Sequence, residues 1–369
     1  MKHLSVLIKP ASSLCNLRCK YCFYSDVSSH RDIRSFGIME QETAKKLLDN
    51  LSADLDTGDM LTLAFQGGEP TTAGLSWFRD FVQQAKEKLP HVTLNFSLQT
   101  NGILLDEDWC EFLKEHHFLV GLSWDGPTTI HNKNRVDPQG RGTWTTVRNA
   151  RRLLQKHGVE HNILCVLTNE SARYPQQIWK FIEEQNIEYI QFIPCLDELD
   201  GSDHHWALTP QRFCSFYTAL FSLWHKAVQQ DKYISVKLFD DIANLFLYRK
   251  VTACGLAGRC SMQYVVEADG GVYPCDFYVL DQYRLGSFTE QTPHQLFEEY
   301  QCRNIAGERK ALPPTCSGCP FLGACHGGCR RMENTMYTDG SYCGYRELLQ
   351  NILQPLCHDA QKLAGLSSK

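Results

Sequence analysis

From residue 3 to about residue 193, short apolar runs rich in β-branched residues alternate with longer stretches whose apolar positions recur every three or four residues. The short runs predict strands over Ser5–Lys9, Leu61–Phe65, Thr93–Leu98, Phe118–Ser123, His161–Leu167 and Tyr189–Ile193. The periodic stretches predict amphipathic helices over Gln41–Leu51, Leu75–Lys88, Glu107–His117, Thr143–His157 and Pro175–Gln185. Six strands separated by helices imply an α/β domain of parallel βαβ units with right-handed crossovers. Such sheets and barrels gather their ligand sites at the C-terminal ends of the strands. The chain's unusual residues fall there. A cysteine-rich loop follows the first strand, and Gln66-Gly67-Gly68-Glu69-Pro70 follows the second. Gln99-Thr100-Asn101-Gly102 follows the third and Asp125-Gly126-Pro127 the fourth.

After about residue 200 the alternation stops. Thr209–Gln229 reads as an aromatic-rich helix. Beyond Thr252 come cysteines, glycines and short strands, with Gln263–Glu267 and Val272–Pro274 joined by a turn at Gly270-Gly271. The expected organisation is an α/β domain over residues 1–200, a helical linker over 201–250 and a cysteine-rich module over 251–369 that ends in a helix. The last segment is too irregular to build a core without cross-links, which metal ligation would supply.

Composition narrows the partners. The 369 residues are 43% hydrophobic and 21% charged, enough for a large domain with a smaller one attached. No run of about 18 apolar residues suggests a membrane span. Met1-Lys2-His3 leads directly into a short apolar strand, so neither a signal peptide nor a membrane is expected, and a cytoplasmic location is. In a reducing compartment the cysteines would be thiols or metal ligands rather than disulfides. Net charge is −5 without a Lys/Arg-rich block, which argues against nucleic acid as a partner.

Eleven of the 17 cysteines fall into three groups with ligand-like spacing. The first is Cys15-x3-Cys19-x2-Cys22. The second is Cys254, Cys260 and Cys275. The third is Cys316-x2-Cys319-x5-Cys325-x3-Cys329, with Cys343 beyond it. Three thiolates on one loop can bind three irons of a [4Fe–4S] cube and leave the fourth iron open. A zinc loop closed by His30, or a redox CxxC, fits the same residues. The later eight thiolates suffice for two complete four-thiolate sites, filled by iron–sulfur clusters or by zinc. Of the six cysteines left, Cys110, Cys165, Cys195, Cys214, Cys302 and Cys357, most lie in apolar contexts and read as buried thiols, with Cys195 close to the expected site rim.

Cys15-x3-Cys19-x2-Cys22 after a first strand resembles the radical S-adenosylmethionine (SAM) superfamily, whose fold is a (β/α)6 partial TIM-type barrel. The resemblance implies that the open iron chelates SAM and that its cleavage yields a 5′-deoxyadenosyl radical. Tyr21, before the third cysteine, and Gln66, Gly67, Gly68 and Glu69 match SAM-contacting segments of that superfamily. Ser123, Arg135 and Leu196 match further SAM contacts, with Arg135 suited to pair with the SAM carboxylate. The C-terminal cysteines resemble a SPASM auxiliary-cluster module. That resemblance assigns Cys254, Cys260, Cys275 and Cys329 to one cluster and Cys316, Cys319, Cys325 and Cys343 to another, giving three [4Fe–4S] clusters with SAM as cosubstrate.

A closer resemblance runs nearly end to end. Ile8-Lys9-Pro10-Ala11-Ser12-Ser13, Phe65-Gln66-Gly67-Gly68-Glu69-Pro70-Thr71, Ser97-Leu98-Gln99-Thr100-Asn101-Gly102, Val120-Gly121-Leu122-Ser123-Trp124-Asp125-Gly126-Pro127 and Val272-Tyr273-Pro274-Cys275-Asp276-Phe277-Tyr278 are similar to anaerobic sulfatase-maturating enzymes. These enzymes oxidise a cysteine or serine in a Cys/Ser-x-Pro/Ala-x-Arg motif of a sulfatase to Cα-formylglycine. The resemblance implies a sulfatase polypeptide as substrate, an electron donor such as flavodoxin or ferredoxin, and a monomer. It places the catalytic base at Asp276, beside cluster ligand Cys275, with Tyr24 and Gln66 as pocket-lining candidates. Pro194 stands where a polar residue is expected. A thioether-forming maturase of ribosomal peptides and a zinc-binding interaction module are the alternatives.

Overall fold

The computed structural model describes residues 1–202, 205–305 and 311–365. Ten strands carry the main pairing: β1 (His3–Ile8), β2 (Met60–Phe65), β3 (Thr93–Thr100), β4 (Leu119–Ser123), β5 (His161–Leu167), β6 (Tyr189–Pro194), β7 (Ser235–Val236), β8 (Val265–Val266), β9 (Gly271–Tyr273) and β10 (Gly286–Ser287). The chain divides into two compact units. One comprises Met1–Ser123, Asn132–His161 and Ser261–Gly307, and the other Trp124–His131, Asn162–Cys260 and Glu308–Lys369.

In the first unit β1, β2, β3 and β4 pair in parallel and in order. β2 alternates buried Leu61, Leu63 and Phe65 with half-buried Met60, Thr62 and Ala64, so its apolar face is set by the two-residue period of a strand. Phe65 meets Trp77, Phe78 and Phe81 edge-on, with ring centroids 5.0–6.2 Å apart. Those three aromatics come from one face of the helix Leu75–Lys88, at the spacing the sequence predicts. Asp106 starts the helix Glu107–Glu115 by accepting a hydrogen bond from the Trp109 amide at 2.9 Å.

The other edge of this sheet holds a feature the sequence pattern does not predict. β8 runs parallel to β1, with Leu7 opposite Val265 and Ile8 opposite Val266, and β9 and β10 continue antiparallel. The hairpin predicted at Gly270-Gly271 is present, but its first strand is two residues long and completes the sheet begun by β1. A helix over Phe23–Ser29, not predicted, starts directly after Cys22.

In the second unit β5, β6 and β7 are parallel. The predicted aromatic helix runs over Pro210–Val228 and is capped by Thr209. It packs against Gly344–Leu363 so closely that a Cβ at Gly344 would overlap the Pro210 carbonyl. Phe192, Phe216, Tyr217 and Phe239 form an aromatic core beside it. Pro194, lacking an amide hydrogen, closes β6 opposite Leu167, and the next amide, of Cys195, resumes pairing to the Leu167 carbonyl at 3.0 Å. No helix among the described residues is long and apolar enough to cross a membrane.

Candidate active site

The loop that leaves β1 is held by its neighbours' backbones. The Gly68 and Glu69 amides donate to the Ser12 and Leu14 carbonyls at 2.8 Å each. This approach requires glycine. Gly67 has φ +131° and a Cβ there would stand 2.9 Å from the Ser12 oxygen, while one at Gly68 would overlap the Leu14 carbonyl. On the other side, the Arg18 amide donates to Val136 O at 2.8 Å and Lys20 to Asn134 O at 3.1 Å. Cys15, Cys19 and Cys22 therefore sit on a loop pinned from two directions.

Polar groups surround the thiols. The Leu17 amide lies 3.4 Å from Cys15 Sγ, and Asn101 Nδ2 lies 3.9 Å from it. Arg135, largely buried, places Nη1 3.9 Å from Cys19 Sγ and its guanidinium 5.9 Å from the Tyr21 ring centroid. Burial pushes the Cys15 thiol up to about 11 and raises Cys22, so this loop disfavours bare thiolates unless a cation neutralises them. Soft thiols next to N–H donors and a guanidinium suit an iron–sulfur cluster, whose sulfurs accept such hydrogen bonds. His30, the fourth-ligand candidate for a zinc loop, pairs instead with Asp26 at 3.3 Å.

Glu69 is buried and fully engaged. One carboxylate oxygen accepts from the Thr71 amide and from the Thr71 and Thr100 hydroxyls, and the other from the Asn101 amide at 2.7 Å. Burial raises its pKa while these donors lower it. Its side chain ties the ends of β2 and β3 together, and Asn101 in turn reaches Asn16 beside Cys15 at 2.7 Å.

Asp276 opens a short turn after β9 and is part-exposed. Lys9 Nζ donates to Asp276 Oδ1 at 2.5 Å and Gln66 Nε2 to Oδ2 at 2.7 Å. Lys9 also lies 3.9 Å from the Tyr24 ring centroid. The buried Tyr24 hydroxyl donates to Glu267, which also binds Arg31 at 2.7 Å with both side chains fully buried. Burial pushes the Glu267 carboxyl up to about 7, and Lys9 opposes that rise. Sequence reasoning reached Gln66, Tyr24 and Asp276 but missed Lys9, Arg31 and Glu267. The available signal was a lysine ending an apolar strand. Ser123 ends β4 in this unit, half-buried.

In the second unit Leu196 comes after β6, half-buried, and Cys195 before it is buried, its thiol pushed up to about 12 by burial with Asp125 and Asp197 adding to the rise. Cys110, Cys165 and Cys214 are buried as expected, whereas Cys302 is exposed. All seventeen cysteines are thiols without disulfides. Burial raises Cys254, and Cys329 and Cys260 raise it further through their charges. Cys325 is raised likewise, by burial and then by Cys319, Cys316 and Cys343. In each of the two groups burial and neighbouring cysteines disfavour the ionised form, so thiolate ligands there would need a cation to neutralise them. Among the described residues no three His, Cys, Asp or Glu side chains converge tightly enough to enclose one metal ion.

Residues 10–182 match the profile of the radical SAM superfamily, and residues 254–320 match that of the SPASM iron–sulfur cluster-binding domain. A cysteine-type anaerobic sulfatase-maturating enzyme of Clostridium perfringens is 41% identical over 338 residues, covering 91% of each chain. A serine-type counterpart from Bacteroides thetaiotaomicron is 29% identical, covering 95% of this chain and 90% of the other. Among solved structures, a native anSMEcpe with bound AdoMet and Cp18Cys peptide superposes with a TM-score of 0.89 at 37% identity, covering 98% and 99% of the two chains. The α/β architecture with its parallel sheet is that of a radical SAM protein with a SPASM domain, and both matches imply iron–sulfur clusters and SAM. By sequence and by fold, the chain belongs to the anaerobic sulfatase-maturating enzymes.

Proposed function

We propose that this protein is a cysteine-type sulfatase-maturating oxidoreductase that converts the cysteine of a Cys-x-Pro/Ala-x-Arg segment to Cα-formylglycine. The observation that carries this reading is the Asp276 carboxylate, part-exposed and held by Lys9 and Gln66, in the unit that also bears the Cys15 loop. Higher identity to the cysteine-type relative than to the serine-type one favours a cysteine target.

In this reading Cys15, Cys19 and Cys22 hold one [4Fe–4S] cluster, and Tyr21, Gln66, Gly67, Gly68, Glu69, Ser123, Arg135 and Leu196 form the surroundings of SAM. Cys254, Cys260, Cys275 and Cys329 hold a second cluster and Cys316, Cys319, Cys325 and Cys343 a third. When bound, these groups supply the one-electron chemistry that takes a hydrogen atom from the target Cβ. The chain's own residues do the rest. To become a thioaldehyde the target must also lose its thiol proton, which Asp276 takes as base, and one electron, which the cluster that Cys275 would help hold could accept; water then adds and hydrogen sulfide leaves to give the aldehyde. Gln66 holds the other carboxylate oxygen and so fixes which lone pairs face the substrate. The geometry around Gly67 and Gly68 supports a cradle role through backbone packing, and Glu69 acts by tying two loops together rather than by a free carboxylate. A small one-electron carrier such as flavodoxin or ferredoxin is the expected donor, acting on a monomer in the cytoplasm.

The test is anaerobic incubation of the reconstituted protein with SAM, reductant and either a cysteine-type or a serine-type sulfatase peptide. Mass spectrometry should find the aldehyde in the cysteine peptide and 5′-deoxyadenosine in the same reaction. A thioether cross-link in place of the aldehyde would transfer the reading to peptide cyclisation.

A further inference from the structure

The side chain of Lys9 is 1% exposed, whereas that of its partner Asp276 is 16% exposed. A buried ammonium is costly unless paired, and methionine would fill a similar volume without that cost. Lys9 and Arg31 face Asp276 and Glu267, two cations against two carboxylates, with the Tyr24 ring beneath Lys9 Nζ at 3.9 Å. The backbone of Lys9 is fixed independently of its side chain. Its amide donates to Val266 O at 2.8 Å and its carbonyl accepts from Ser12 at 3.1 Å. The ammonium is thus presented from a rigid point between β1 and β8.

A carboxylate on a short turn rotates broadly about its last torsion. With one oxygen held at 2.5 Å by Lys9 and the other at 2.7 Å by Gln66, that rotation is removed. Each oxygen keeps a second acceptor site, so proton-accepting capacity remains on the open side. We propose that Lys9 is a positioning residue that locks the plane of the Asp276 carboxylate toward the target side chain, a role that rests on reading Asp276 as the base. Lys9 does not touch the substrate proton. It acts through Asp276, and the Tyr24–Glu267–Arg31 group holds Lys9 in turn.

The experiment uses reconstituted full-length protein and a cysteine peptide deuterated at the target Cβ. Lys9→Met, Lys9→Gln and Asp276→Asn are compared with the wild type. Deuterium in 5′-deoxyadenosine reports hydrogen abstraction, and aldehyde per 5′-deoxyadenosine reports the loss of the proton and electron after it. Lys9→Met should keep deuterium transfer and lower aldehyde per 5′-deoxyadenosine by about 10- to 100-fold, the scale expected for a misaimed catalytic group. Lys9→Gln retains a donor and should recover part of the loss. Peptide affinity, measured calorimetrically without reductant, should stay within about threefold, since the loss is not one of ground-state binding. Lys9→Met at the wild-type ratio would overturn the proposal. So would deuterium transfer falling in step with aldehyde in both Lys9 variants, which would mark a role in holding the loop. Asp276→Asn at wild-type yield would instead defeat the assignment of the base, whatever the Lys9 variants do.

Discussion

The loop carrying Cys15, Cys19 and Cys22 and the segments carrying Cys316 to Cys343 both gather thiols, yet they are built differently. The first lies against a parallel sheet, accepts backbone hydrogen bonds from residues 68 and 69 on one side and donates them to residues 134 and 136 on the other. The second consists of a 3-10 turn at Pro314–Cys316, a four-residue helix at Leu322–Cys325, another turn at Arg330–Met332 and two-residue strands at Thr338–Asp339 and Tyr342–Cys343. Its clearest packing constraint is Gly328, where a Cβ would overlap the Tyr337 ring. Short turns bury little surface and offset little chain entropy. The first region is braced by backbone packing, whereas the second has little bracing of this kind, so bound metal would contribute more to its shape.

The strongest test of that contrast replaces Cys15, Cys19 and Cys22 together by alanine. SAM cleavage should be abolished, while visible absorption from the two further clusters proposed for residues 254–343 persists. Loss of all absorption would erase the distinction. Next in size, Asp276→Asn should leave SAM cleavage intact and lower aldehyde formation by ~10²–10⁴-fold, the usual contribution of a general base. Product and 5′-deoxyadenosine measured in one reaction separate the two steps.

Iron removal by a chelator sharpens the comparison further. Limited proteolysis should then cut first within residues 311–343, while fragments containing β1 to β4 persist, because metal-dependent segments unfold when the metal leaves. Early cutting within residues 9–22 would show that the first loop is no better braced. Gly68→Ala should lower stability by roughly 2–3 kcal/mol, since the new methyl meets the Leu14 carbonyl backbone and not a flexible side chain. A thermal melt checks this. The smallest effect is expected for Asp106→Ala, which removes a helix cap for about 1 kcal/mol and should leave turnover unchanged.

The strands and helices of the first half were legible because long periodic runs carry their own signal. The strand expected over Thr93–Leu98 extends to Thr100, and the helix expected over Glu107–His117 ends at Glu115, differences confined to element ends. The cysteine loop and the Gly67-Gly68 pair were equally readable, although the close backbone approach that demands glycine emerged only from the structure. The hidden part was the Lys9–Asp276 and Arg31–Glu267 pairing. Its members lie more than two hundred residues apart along the chain. They meet through β8, a two-residue strand too short to show periodicity.

The pairing of β8 with β1 has a consequence for dissection of this protein. A truncated chain ending before Ser261 would keep every βαβ repeat of its first half but leave the Leu7 and Lys9 amides without the Tyr264 and Val266 carbonyls that accept from them. An unprotected, apolar edge of this kind recruits other strands. Such a fragment should therefore self-associate. The segment beyond the last helix of the repeat is a seal on the sheet, and the two portions of the gene cannot be exchanged as independent modules at that boundary.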